Sequence, residues 1–421
     1  MTGDPPSFQG PPGPDGSQWP QPFTPALDSG PPMEERADIV IVGGGVIGTS
    51  VAFHLAELGV TDVVLLERSH VASGSTGRSV GIVETSFATD VNVALATRGF
   101  EELRRFREVT GETADFHPRP YLETVGDPAN VPHLEAVAAT GRRHGLHMRV
   151  LDLAGVAGAF PELRVDDVAG GLLVEEAGFC DPHSVAAGYA VAAKRRGVRV
   201  RTNAPVEQVL LEGRKVVGVQ TPDGAVRAPV VVNAAGPWAN DVNRTAGFEL
   251  PLTLWQRHVF VTTPHPEIPA DRPIYVDLDG RFYFRQELDG GFVLGLVEDR
   301  APAADLADPA VDWDFRVEAV RAAVHRVPRL ADTQVRSGWS GIVTFTPDQL
   351  PVLGPVREAE GLVLACGMSG YGVMIAPGVG LALAELIALG KSKTIDVAPL
   401  AYDRFRDATR VRGAGLWLAR R

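Results

Sequence analysis

Residues 37–67 read ADIVIVGGGVIGTSVAFHLAELGVTDVVLLE, and this stretch decides the fold. Ala37 to Val42 is apolar except for Asp38 and runs straight into three glycines, the pattern of a parallel strand covered on both faces. Val46 to Leu58 then carries helical spacing and stops at Gly59, a glycine placed to cap a helix C-terminus. Val63 to Glu67 supplies a second buried strand. Within this strand–helix–strand unit Gly43, Gly45 and Gly48 stand as G-x-G-x-x-G. The first glycine permits the tight turn, the second lets backbone approach a pyrophosphate, and the third lets helix and strand pack closely. Val46 and Ile47 open the helix, whose positive N-terminus attracts the phosphates. Glu67, 19 residues after Gly48 and followed by Arg68, is placed to accept the ribose hydroxyls, which suits an unphosphorylated ribose. The spacing alone does not separate FAD from NAD.

Just beyond lies Ser73 to Ser79, SGSTGRS, whose backbone N–H groups and hydroxyls at Ser75, Thr76 and Ser79, with Arg78, offer a second cradle for the cofactor. Helical patterns follow over Asn92 to Thr110 and Val131 to Gly145. Asp181 onward reads as helix, short strand and a meander turning at Pro222 to Gly224 and ending in VVVNAAG. Strand-like blocks fill Pro251 to Val297. The chain closes with TPDQLPVLGP, GMSGYGVMIAPGVG and a helical run to Leu389.

Composition narrows the classes. The chain has 421 residues, 45% apolar and 22% charged, enough for two or three compact units. A net charge of −12 argues against a nucleic-acid partner. Two cysteines, Cys180 and Cys366, are too few for a disulfide framework, so a reducing, cytoplasmic setting is expected. No metal-ligand motif stands out. Val373 to Leu389 is interrupted by Pro377, Gly378 and Gly380 and carries Glu385, so no membrane span is expected. Ten of the first 32 residues are proline, and residues 1–35 read as a disordered Pro/Gly-rich extension, with a proline-rich ligand for a partner as the rival reading.

Five blocks in order, IVGGGVIGTSVAFHLAELG, LLERSHVASGSTGRS, VVVNAAGPWA, TPDQLPVLGP and GMSGYGVMIAPGVGLALAEL, resemble the D-amino-acid oxidase superfamily of flavoproteins, especially its sarcosine oxidase, glycine oxidase and dimethylglycine and proline dehydrogenase-like branches. The resemblance implies an α/β chain with a Rossmann-like FAD-binding lobe assembled from 36–90, 150–245 and 335–400. It also implies a second, α+β substrate lobe on a mixed, largely antiparallel sheet, from 91–149 and 246–334, with 401–421 as a tail. By position, Val206 should meet the adenine, and Ala235 and Gly236 the pyrophosphate or ribityl chain. Gly341 should lie beside the cofactor, and Gly370, Tyr371, Gly372, Val373 and Met374 should line the carbonyl edge of the flavin, where helix-terminal N–H groups stabilise negative charge.

Departures from the family pattern bear on chemistry. Gly77 and Arg78 replace the Trp-His pair of histidyl-linked relatives and Gly341 replaces a linking cysteine, so FAD is expected to be non-covalent. Val293 stands where an oxygen-activating lysine is found, leaving oxygen or another electron acceptor open. Glu84 stands where the carboxylate-binding arginine is found, and Met374 where a second cation is found. A like-charge contact near 4 Å costs on the order of 4 kcal/mol. Either the substrate is an amine without a carboxylate at that spot, its cationic form pairing with Glu84, or another arginine, among Arg257, Arg281 and Arg285, serves it; Glu84 facing solvent or capping a local turn is the plain alternative. Tyr283 matches a family tyrosine, and His258 is a candidate base or a packed residue. Tyr283, Glu84, His258 and Arg257 are thus the catalytic candidates. The expected reaction is oxidation of a C–N bond in a primary or secondary amine or amino acid by hydride transfer to flavin. The alternatives are an alcohol or hydroxy-acid dehydrogenase, or a non-catalytic flavoprotein subunit.

Overall fold

The glycine-ended apolar run folds as read. In the computed structural model, which describes residues 35–302 and 305–406, Ile39–Val42 is a fully buried strand and Val46–Glu57 the helix leaving it. The strand is the centre of a six-stranded sheet ordered Arg199–Arg201, Val63–Leu66, Ile39–Val42, Val230–Asn233, Leu362–Cys366, Val352–Pro355. All neighbours run parallel except the last pair. Chain order reverses on either side of Ile39–Val42, and such a switch point opens a crevice at the carboxyl ends of the strands. Four valine- and leucine-rich strand cores, at 39–42, 63–66, 231–232 and 362–366, are buried on both faces, which is why they lack the alternation of a half-exposed sheet.

Val46–Glu57 packs between Gly372–Leu389 and Pro182–Arg195. Its contact with Gly372–Leu389 is close because Gly380 carries no side chain: a Cβ there would come within 2.2 Å of Ser50 Oγ. Pro377 was expected to break this segment, but the helix runs through it unbroken for 18 residues. It is long and apolar enough to cross a membrane by length and composition, contrary to the expectation from sequence, and 67% of it is buried inside the protein.

A second sheet has eight strands, ordered Val335–Phe345, Thr253–Thr262, Phe292–Leu296, Phe282–Gln286, Ile274–Asp277, Tyr121–Val125, Gly170–Val174, Met148–Leu151. Only the Ile274–Asp277 and Tyr121–Val125 pair is parallel, giving the mixed, largely antiparallel sheet expected. It takes in 170–174, 335–345 and the second half of Met148–Leu151, all placed in the cofactor lobe from sequence. The meander is three-stranded, Gln208–Glu212, Lys215–Thr221 and Gly224–Arg227. Val230–Asn233, read as its last strand, leaves it for the six-stranded sheet, where Val231 to Asn233 are buried. The residues expected to form a tail begin packed: Arg404 donates to Asp348 Oδ2 at 2.7 Å and to the Leu350 carbonyl at 2.9 Å. The expected N-terminal extension, up to residue 34, and residues 407–421 lie outside the described residues.

Candidate active site

A cavity of about 640 Å³ lies at the carboxyl ends of the parallel strands and is walled on its far side by the eight-stranded sheet. At one end, Gly43 has φ +110°, and a Cβ there would meet the Ala234 carbonyl oxygen at 2.5 Å. Gly45 caps the helix, whose first turn carries no acidic residue. Gly48 does not line the cavity. It lets the helix press onto the turn, since a Cβ on it would fall 2.0 Å from the Gly43 oxygen. Glu67 is held in place by three donors: Gly44 N–H at 2.7 Å, Ser69 N–H at 2.9 Å and Ser73 Oγ at 3.3 Å. Val206, Ala235, Gly236, Val46 and Ile47 all reach the wall. Arg68 also lines it, its guanidinium 4.3 Å from the ring centroid of Trp238.

The Ser73–Ser79 turn joins the two sheets. Ser75 Oγ donates to the Ile342 carbonyl at 2.6 Å, and Thr76 Oγ1 accepts the Val46 N–H at 3.0 Å. Ser79 faces the cavity. Arg78 lines it too, but its guanidinium is turned to the carbonyls of Ala307 (2.7 Å) and Ser340 (3.3 Å) and to Asp308 (3.1 Å). Gly341 makes room for that side chain: a Cβ there would lie 2.8 Å from Arg78 Cβ. The arginine therefore fastens the turn to the second sheet.

At the other end, Gly370, Tyr371, Gly372, Val373 and Met374 line the cavity together, with Gly370 at φ +94° and Ser369 at φ +50° in the turn before the helix. The Tyr371 ring meets Phe87 edge-on at 4.9 Å. Tyr283 lines the cavity and lies over Gly295 of the neighbouring strand, where a Cβ would be 2.0 Å from its Cζ. Burial pushes its hydroxyl up to about 12, so it stays a donor near neutral pH.

Arg257 lines the same cavity. Strand alternation sends His258, next along the chain, to the opposite face, where Nδ1 accepts the Asp312 N–H at 3.3 Å and the ring packs on Phe315 at 5.5 Å. His258 is thus a packed residue outside the cavity, and the expectation of a base there is corrected. Arg285 is likewise committed elsewhere, donating to the Val80 carbonyl at 2.8 Å and stacking on Phe179 at 4.4 Å. Arg281 pairs with Asp299 at 2.9 Å. Arg257 donates through Nη1 to the Glu298 carbonyl and lies 3.5 Å from Asp299. That 3.5 Å contact is made by Nη2, so Arg257 and Arg281 share Asp299.

Glu84 does not face bulk solvent, but it does cap the local turn, its Oε2 accepting the Ser86 N–H and hydroxyl. It is 1% exposed, lines the cavity, and burial raises its carboxyl to about 7. Sequence reading missed its neighbour Glu123, 0% exposed and raised to about 8 by burial and by Glu84. Within YLETV that glutamate is indistinguishable from an outward-facing strand residue; only the covering of both strand faces reveals it. Tyr121 and Trp238 are further wall residues not foreseen. Val293 is buried among Val259, Val261, Val80 and Trp339, not on the wall. Among the described residues no cluster of three or more His, Cys, Asp or Glu is arranged to hold a metal.

The nucleotide end fits a dinucleotide. Gly43 and Gly45 leave the turn without side chains, the helix start has no competing acid, and Glu67 is preset at the end of the next strand. With the glycine turn at 370–372 closing the opposite end, the fold and site define a two-lobed α/β protein of the FAD-dependent oxidoreductase class. The family model described as "DAO: FAD dependent oxidoreductase" matches residues 38–386, and the chain belongs to that family. It is 32% identical over 397 residues to mitochondrial dimethylglycine dehydrogenase of Rattus norvegicus, a match covering 90% of this chain and 46% of that protein. To mitochondrial sarcosine dehydrogenase of Homo sapiens it is 31% identical over 372 residues, covering 86% and 40%. The chain thus spans about half the length of these curated relatives. The solved L-proline dehydrogenase from P. horikoshii superposes with a TM-score of 0.83 at 28% identity, covering 90% of this chain and all of that one.

Proposed function

We propose that the chain, loaded with FAD, oxidises the C–N bond of a primary or secondary amine in an amino acid. The reading rests on one observation: a cationic side chain, Arg257, and a buried carboxyl, Glu84, stand on the walls of one cavity. A zwitterion carries the charge complementary to each, a carboxylate for Arg257 and an ammonium for Glu84. Relatives named for sarcosine and L-proline, both secondary amines, support the substrate class.

FAD, when bound, supplies the two-electron acceptor for the hydride released from carbon. The chain's own residues bind and orient. Arg257 meets the carboxylate from a site where a charge-assisted hydrogen bond is little screened by water. Its position is set by Glu298, Asp299 and the Phe345 ring, 5.5 Å from the guanidinium. Glu84 attracts the ammonium end. Tyr283, Tyr121 and Tyr371 wall the space between and exclude water. A hydroxy acid would satisfy Arg257 but leave Glu84 facing a neutral hydroxyl.

Anaerobic addition of sarcosine, L-proline, simple amines and hydroxy acids, followed by flavin absorbance, tests this. Fast bleaching by the amino acids, slower bleaching by simple amines and none by hydroxy acids is expected. Bleaching by hydroxy acids instead contradicts the reading, and a bound flavin that none of them reduces points to the non-catalytic alternative.

A further inference from the structure

Beside the cavity, Ser86 sits between two buried carboxyls. Its N–H and its hydroxyl both approach Glu84 Oε2, the hydroxyl at 2.7 Å, while the same hydroxyl oxygen lies 2.5 Å from Glu123 Oε1. Proton counting fixes what this arrangement holds. Serine has one hydroxyl hydrogen and an ionised carboxylate has none, so two contacts from one Ser86 oxygen to two carboxyls require one carboxyl to carry a proton. Glu84 Oε2 already faces the Ser86 N–H and is an acceptor. Glu123 Oε1 is therefore the donor to Ser86 Oγ, whose own hydrogen points to Glu84. Glu84 Oε1 is buried without a hydrogen-bond partner among the described residues, in a side chain that lines the cavity.

We propose that Glu84 is the base that removes the proton from the substrate's ammonium nitrogen, and that Glu123 is a positioning residue whose stored proton keeps Ser86 turned toward Glu84. This rests on the amine reading above. In the step, the N–H bond breaks, its electron pair stays on nitrogen, and an O–H bond forms at Glu84 Oε1. The amine is then neutral, as loss of hydride from the adjoining carbon requires. Without a built-in acceptor, only the small neutral fraction of a free amine with a pKa near 10 would be competent at pH 7.

The groups facing the pair are few. Tyr121, two residues before Glu123, is kept protonated by burial, by both carboxyls and by Tyr371, the cap residue of helix Gly372–Leu389. No arginine, lysine or histidine among the described residues acts on either carboxyl. Burial of Glu84 and Glu123 together, with no cation near, is what makes a single shared proton the stable state near neutral pH.

The test is anaerobic stopped-flow reduction of the FAD-loaded protein by sarcosine and L-proline below saturation, across about pH 6 to pH 10. Wild type is expected to rise to a plateau near the pH at which Glu84 ionises. Glu84→Gln should lose the plateau and rise about tenfold per pH unit toward the ammonium's own pKa; a retained plateau overturns the proposal. Ser86→Ala, which removes one hydrogen bond to ionised Glu84, should start its plateau at higher pH, and an unchanged start overturns it. Glu123→Gln keeps a donor toward Ser86 and should keep the plateau. Independently of turnover, infrared spectra of the loaded wild type should show the carbonyl band of a protonated buried carboxyl that Glu123→Gln removes; its persistence in the variant overturns the placement of the proton. If no amine reduces the wild-type flavin, the functional reading fails, while the infrared result still judges the carboxyl pair.

Discussion

Gly44 donates its backbone N–H to Glu67 Oε2 at 2.7 Å, so the glycine turn and the acid that follows it are locked to each other. The turn that leaves room for a pyrophosphate also aims the carboxylate. A Cβ on Gly44 would fall 2.8 Å from Glu67 Cβ, which is why the middle position of this GGG is itself a glycine.

Glu67→Ala removes the acceptor of three donors, which is also the acceptor proposed for the ribose. Hydrogen bonds to a charged group contribute about 1.5–3 kcal/mol, so the FAD dissociation constant should rise roughly 10- to 100-fold. Fluorescence titration of the deflavinated protein reads this, and unchanged affinity would show that the acid does not serve the cofactor.

No cysteine or histidine is among the residues lining the cavity. Cys180 and Cys366 are buried, free thiols, each pushed up to about 12 by burial. Acid precipitation should therefore release yellow FAD into the supernatant. Colour retained in the washed pellet would contradict a non-covalent cofactor.

Gly295→Ala would force the Tyr283 ring away, because the new Cβ meets its Cζ at 2.0 Å. Overpacking of this kind costs about 1–3 kcal/mol. Slower amine-driven flavin reduction with FAD binding retained is the expected result. Equal reduction rates in variant and wild type would remove Tyr283 from the site.

The buried carboxyl pair also sets a pH dependence of stability. Glu84 and Glu123 are raised from 4.5 to about 7 and about 8, so between those values the folded chain binds more protons than the unfolded one. Stability from this pair is then full below about pH 4.5 and is lost as pH rises through 7 to 8, at about 1.4 kcal/mol for each tenfold difference in proton affinity between the folded and unfolded chain. Thermal melts should show Glu123→Gln more stable than wild type above pH 8, with the difference closing at acid pH. Parallel curves would mean that the pair does not ionise in this way.

The nucleotide half of the site was legible because its chemistry is local. Gly43, Gly45 and Glu67 are fixed by one strand–helix–strand unit whose order in sequence is its order in space. The substrate half is assembled from strands far apart in the chain. Arg257, Tyr283 and Glu84 were reachable through a family resemblance, yet nothing local told Arg257 from His258 beside it; strand alternation decided between them. Glu123 was invisible because a glutamate in a strand normally faces water, and only the covering of Tyr121–Val125 on both faces buries it. Pro377 and the neighbouring glycines resembled breaks, but in the folded chain the glycines are where Gly372–Leu389 meets Ser50 and Leu95 at close range.

In the proposed mode of binding, one cavity presents Arg257 to a substrate carboxylate and Glu84 to its amine. The most direct measurement compares wild type and Arg257→Gln, both FAD-loaded, in anaerobic reduction by an N-methyl amino acid and by the matching amine without its carboxylate. Losing one partner of a buried charge pair costs about 2–5 kcal/mol. Wild type should therefore favour the amino acid by roughly a hundredfold, and the variant should lose that preference while its rate with the plain amine changes little. An undiminished preference in Arg257→Gln would contradict the account.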